Sequence, residues 1–135
     1  MRELSRVVGA FAILMLLFFV ALVVMGRSGP RCSLTEAVVL KPPFTKFGNG
    51  FAYVAEAPSL TSYSDTLAAQ TESRFLICED GYVLGPPHSL HLEIDAKGGG
   101  RFSHWDTAGG FVFSASNNSN PNTNGKRYRA GLEKK

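Results

Sequence analysis

Residues 74–84 read Arg74-Phe75-Leu76-Ile77-Cys78-Glu79-Asp80-Gly81-Tyr82-Val83-Leu84, two apolar runs on either side of an Asp-Gly pair. Asp and Gly tolerate the positive φ angles of a tight two-residue turn, so the stretch predicts a β-hairpin. Gly85-Pro86-Pro87 closes its second arm. Working outward, Leu34–Leu40 is apolar and β-branched enough for a first strand, ended by Lys41-Pro42-Pro43. Gly48-Asn49-Gly50 is a turn that leads into a second strand over Phe51–Ala55. Ser59–Ser73 is dense in Ser and Thr, and its Leu60, Tyr63 and Leu67 fit a short helix or a loop equally well.

After the hairpin, Leu90, Leu92 and Ile94 alternate with His91, Glu93 and Asp95, which suits a half-buried strand or a short helix before Gly98-Gly99-Gly100. If it is a strand, Glu93 and Asp95 share one face, the usual arrangement for a solvated surface. Arg101–Trp105 and Phe111–Ala115 predict a further strand pair across Gly109-Gly110, and Lys126-Arg127-Tyr128 a last edge strand. Short strands with frequent turn signals predict a small all-β domain, an antiparallel sandwich or barrel, over residues 34–130. A charged tail follows over 131–135.

Val7–Gly26 is different in kind: twenty residues without one charged side chain. At about 1.5 Å rise per residue a helix of that length spans roughly 30 Å, the thickness of a bilayer's hydrocarbon core. The run exceeds the apolar region of a cleaved signal and ends without an A-x-A site, so it reads as a single transmembrane α-helix acting as a signal-anchor. Residues 1–6 form a short tail before it and 27–33 a juxtamembrane linker. Arg2 and Arg6 on one side nearly balance Arg27 and Arg31 on the other. The very short basic N-terminus favours an extracytoplasmic domain, with a cytoplasmic one as the alternative.

The formal charge of +3 resides at the ends. Residues 28–125 carry six basic and nine acidic side chains, which speaks against a nucleic-acid-binding face. The two cysteines, Cys32 and Cys78, can pair if the domain lies outside the cytoplasm. Otherwise Cys78 is a buried small hydrophobe and Cys32 is free.

From Cys78 to Tyr128, the runs EDGYVLGPPHSLHLEI (79–94), GGGRFSHWD (98–106) and FSASNNSNPNTNGKRY (113–128) stand out. In these runs the chain resembles a small β-rich module of bacterial proteins. That module often sits beside methyltransferase, sulfotransferase or glycosyltransferase domains linked to surface polysaccharides. The resemblance implies a non-catalytic accessory module, here following one membrane helix in place of an enzyme domain.

Sites of chemistry are sparse. His88, His91, His104 and Asp106 are the only metal-ligating set to consider, but no H-E-x-x-H or paired cysteines accompany them, so no metal is expected. No nucleophile elbow and no phosphate loop is present, so neither an enzyme nor a cofactor is expected. Arg101, His104, Trp105, Asn117, Asn118 and Asn122 form a candidate ligand-binding set. An indole can stack on the apolar face of a sugar, and amides both donate to and accept from hydroxyls. The alternative is a core tryptophan with asparagines that shape turns. The expectation is therefore a non-catalytic single-pass protein of the bacterial inner membrane. It would be an accessory subunit whose helix and β-domain bind other membrane-protein subunits of a respiratory or photosynthetic type of complex. The alternative is a membrane-tethered carbohydrate-binding module.

Overall fold

The computed structural model describes residues 29–134 and, singly, Met15. Apart from Met15, the helix expected over 7–26 lies outside the described residues, as does the tail 1–6. Among the described residues no helix is long and apolar enough to cross a membrane.

Among the described residues, eight strands form two four-stranded antiparallel sheets. In chain order they are β1 (Leu34–Leu40), β2 (Thr45–Lys46), β3 (Tyr53–Glu56), β4 (Phe75–Glu79), β5 (Tyr82–Val83), β6 (Phe102–Trp105), β7 (Gly110–Phe113) and β8 (Tyr128–Glu133). One sheet has the order β1-β8-β4-β5 and the other β2-β3-β7-β6. Leu40, Phe75, Ile77, Tyr128 and Ala130 of the first meet Ala55, Phe102, Phe111 and Phe113 of the second in one buried cluster, so the sheets face each other as a sandwich. Phe44, Phe113 and Tyr128 pack mutually edge to face, with ring centroids 5.0–5.7 Å apart.

The hairpin over 74–84 forms as its sequence predicts. Asp80 and Gly81 take φ of 49° and 85°, and Glu79 pairs with Tyr82 across the turn. The ambiguous stretch 90–97 is a helix, α1 (His91–Lys97), so Glu93 and Asp95 do not share a strand face. Only Ile94 of α1 is fully buried, against Val112 and Ala52 on the outer face of the second sheet. This covering is why every residue of β7 is buried: Phe111 and Phe113 point between the sheets and Val112 points under the helix. Asp95 anchors the helix end, its Oδ1 accepting from Gly50 N at 2.8 Å. A Cβ on Gly50 would lie 2.0 Å from the Asp95 carbonyl oxygen, so only glycine fits this close approach.

Two expectations need correction. The strand at 128 is not an edge strand: β8 lies between β1 and β4, and it runs on to Glu133 through residues assigned to a charged tail. Tyr128, Ala130 and Leu132 alternate with Arg129, Gly131 and Glu133, the period-two pattern of a paired strand. The second strand begins at Tyr53 and ends at Glu56, because Phe51 and Ala52 belong to the turn held by Asp95.

Ser59–Ser73 holds a 3₁₀ helix over Pro58–Tyr63 and then a loop. Cys32 and Cys78 are joined by a disulfide, and Cys32 N donates to Gly81 O at 2.8 Å, so the segment before β1 lies along the hairpin.

Candidate functional site

The edge of β6 is where two loops converge. Phe102 N donates to Pro86 O, and Ser89 N donates to Phe102 O. Further along the strand Asp65 N donates to His104 O at 2.8 Å, and Asp106 N donates to Asp65 O at 3.1 Å. These backbone bonds satisfy an exposed sheet edge and bring Asp65 and His88, far apart in sequence, to one place.

Asp65 is fully buried. Its Oδ1 accepts from Ser73 N at 2.7 Å and its Oδ2 lies 2.6 Å from His88 Nδ1. A carboxylate only accepts, so Nδ1 of His88 carries the proton. His88 holds φ at 53°, a sparsely populated conformation for such a side chain, maintained by the bonds on either side of it. Ser73 Oγ lies 2.7 Å from His104 Nδ1, which extends the network inward. The His104 ring stacks on Phe111 at 4.2 Å between centroids and meets Phe75 edge on.

Burial pushes the His104 pKa down to about 4, against the smaller opposing pull of the Asp65 charge. The unfolded chain therefore binds a proton near pH 6.5 that the folded domain refuses until about pH 4. Stability from this group is intact above pH 6.5 and is lost as pH falls through that window, by up to about 3 kcal/mol at pH 4. Denaturant unfolding at pH 7, 5.5 and 4 measures it, and His104→Gln should flatten the slope.

Beside this network lies a groove of about 360 Å³. Asp65, His88, His91, Ser103 and Gln70 supply its polar lining, and Leu67, Leu90, Leu92 and Trp105 its apolar lining. The His91 ring stands edge on between Phe47 and Trp105, at 5.5 and 5.6 Å. Its pKa is lowered by burial, which keeps the imidazole neutral at pH 7. Ser103 Oγ and His91 Nε2 are buried and find no hydrogen-bond partner among the described residues.

The ligand-binding set read from the sequence is not brought together. Arg101 and Trp105 sit four residues apart along an extended segment, about 13 Å. Arg101 donates through Nη1 to Gly98 O and closes its own loop. Asn118, at φ 61°, accepts from Gly99 N; Asn117 accepts from Ser119; Asn122 both accepts from Phe44 N and donates to Phe44 O. These asparagines build turns. His104 is 1% exposed and unavailable to a ligand. Of the set, only Trp105 faces the groove. Among the described residues no three His, Cys, Asp or Glu side chains stand in metal-holding geometry, and His104 is separated from His88 by Ser73 and Asp65.

The sequence offered no sign of Asp65 or Ser73, whose roles depend on contacts formed only in the folded chain. Leu90 and Leu92 suited a half-buried strand or a short helix; the helix forms, and both side chains face solvent at its start.

The larger concavity, about 840 Å³, opens between the hairpin and the asparagine loop. Its one buried charge, Glu79, is fully occupied: it accepts from Ser116 N, Ser116 Oγ, Lys126 Nζ and Tyr128 Oη. It is a clasp within the fold.

Fold and groove together define an antiparallel β-sandwich with an apolar-rimmed recess at a sheet edge. Compared with known proteins, the chain matches no family model, no curated protein and no solved structure.

Proposed function

We propose that this chain is a non-catalytic, single-pass protein of the bacterial inner membrane, anchored through residues 7–26. Its β-sandwich is an accessory subunit that binds a larger membrane-protein complex of respiratory or photosynthetic type. The observation that carries the reading is the rim of the groove: Leu67, Leu90 and Leu92 are 83%, 67% and 80% exposed beside Trp105. Large apolar side chains gathered at one recess are what a protein interface needs. Burying each leucine contributes roughly 1.5–3 kcal/mol before the costs of association. The Cys32–Cys78 bridge supports placing the domain on the oxidising, periplasmic side of the membrane.

The test is recovery of the full-length protein in mild detergent, with size exclusion and mass spectrometry of what accompanies it. Stoichiometric membrane-protein subunits are expected with the parent chain. Leu67→Asp with Leu92→Asp, both surface changes, should cut their recovery by about tenfold or more. Equal recovery from both, or a lone small species from the parent chain, would overturn the reading. A membrane-tethered carbohydrate-binding module is the second reading, favoured by the indole of Trp105 at the groove. Under it, Trp105→Ala abolishes retention on glycans and leaves protein partners in place.

A further inference from the structure

We propose that the outer face of the first sheet beside the β4–β5 hairpin, where Arg31, Arg127 and Arg129 converge, binds the phosphate headgroups of anionic lipids. The domain then lies on the bilayer that anchors it. This rests on the anchor at residues 7–26 in the reading above, and not on the leucine rim. Pro30 O accepts from Val83 N at 2.9 Å, and Pro30 is four residues past the end of that run. A fully extended chain covers at most about 3.5 Å per residue, so this part of the hairpin stands within roughly 14 Å of the point where the anchor leaves the bilayer.

Three arginines meet there through strand register. Tyr128 and Ala130 point into the core, so Arg129 between them points out of the sandwich, and Arg127 two residues earlier shares its side. Arg129 is the register partner of Cys78, whose disulfide to Cys32 brings Arg31 to the same face. Arg31 also bridges to Tyr82, and Asp80 N donates to Arg127 O, so both are fixed to the hairpin through backbone. All three residues are exposed. Among the described residues the ion pairs are His88 with Asp65, Lys97 with Glu93 and Lys126 with Glu79, and the one arginine side chain that donates to the protein is that of Arg101.

Charge selects the ligand. Of the two carboxylates at the hairpin, Glu79 is buried and occupied by Lys126 and Tyr128, and Asp80 accepts from Arg127 N at 2.9 Å. Glu133 lies at the other end of the sheet, where it pairs with Leu34. Three arginines against Asp80 leave this face at +2. The rest of residues 28–125, without Arg31, Glu79 and Asp80, carries five basic and seven acidic side chains, so an anionic surface favours this face over the remainder of the body. A guanidinium offers a planar fork that matches phosphate oxygens, and each arginine can take a separate headgroup. Phosphate in solution offers the same chemistry, but the tether keeps the bilayer surface within reach at high effective concentration. The Trp105 groove opens at the β6 edge of the opposite sheet, so the same orientation keeps its leucines clear of lipid.

The test uses the full-length chain in lipid nanodiscs of phosphatidylcholine, with and without phosphatidylglycerol, each containing a headgroup spin-labelled lipid that broadens nearby amide signals. In the anionic discs the amides of Arg31, Asp80 and Arg129 should be broadened and the indole N–H of Trp105 spared. That contrast should be at least about fivefold smaller in neutral discs or at high salt. Arg31→Gln combined with Arg127→Gln and Arg129→Gln, all surface changes, should bring the broadening down to the neutral-disc level. Equal broadening in both kinds of disc, or no loss in the triple variant, would overturn the proposal, as would broadening centred on Leu67, Leu90 and Leu92. Inorganic phosphate that shifts these amides while the anionic disc does not would assign the arginines to a soluble anion and overturn it too. A chain that is not retained in discs at all would remove the anchor itself, a separate failure from a retained chain indifferent to lipid charge.

Discussion

Asp65→Ala should destabilise the domain by about 3–5 kcal/mol, the loss of two hydrogen bonds to one buried carboxylate. The side chain is 1% exposed and serves two donors, His88 Nδ1 and Ser73 N. Alanine strands both, and Ser73 in turn positions His104 through its Oγ. The loop over 64–73 and the one over 85–90 would lose the side-chain tie between them and keep only their separate backbone bonds to β6. Asp65→Asn should cost about half as much, since the amide oxygen can still accept from Ser73 N. Denaturant unfolding of the full-length protein in nanodiscs, followed by Trp105 fluorescence, measures both. A loss below about 1 kcal/mol for the alanine variant would show that the two loops are held by backbone alone.

Cys32→Ala should cost about 4 kcal/mol, the chain-entropy value for a cross-link that closes a loop of this size. Its partner Cys78 lies in β4, 46 residues away along the chain. The expected loss is large because the bridge restrains the unfolded chain. In the folded state the segment before β1 already has two backbone bonds to the hairpin, Cys32 N to Gly81 O and Val83 N to Pro30 O. The same denaturation assay reads the effect, and maleimide labelling of the unfolded, unreduced parent should find no thiol. Two labelled thiols per chain would overturn the prediction.

Much of the sandwich is legible locally. The Asp80-Gly81 turn, the β1 run ended by Lys41-Pro42-Pro43, and the β6 and β7 pair each contain their own signal within about ten residues. The rest depends on contacts that form at a distance. Alternation at 90–94 fits a strand as well as a helix, and the choice is made by Ile94 packing on Val112 while Asp95 holds the 48–52 turn. The central position of β8 is set by pairing with β1 and β4 across long separations, and nothing within its six residues states it. The candidate site was the least legible. Tryptophan and asparagine were read as chemistry, but only Trp105 faces the groove, while asparagines at positive φ or bonded to Phe44 shape the chain. The residues that build the groove's polar floor, Asp65 and Ser103, looked like ordinary loop and strand positions.

The insertion of β8 between β1 and β4 also bears on the order of assembly. Leu34 pairs with Glu133, about a hundred residues later, and β1 has no other strand neighbour in its sheet. During synthesis the hairpin of β4 and β5 can close early, whereas β1 must wait beside it until β8 emerges to bridge the gap. Such non-local pairing slows folding. Until β8 arrives, the outer edge of β4 is open to any passing strand, and a ribosome stalled before residue 128 would leave a sheet without its inner strand.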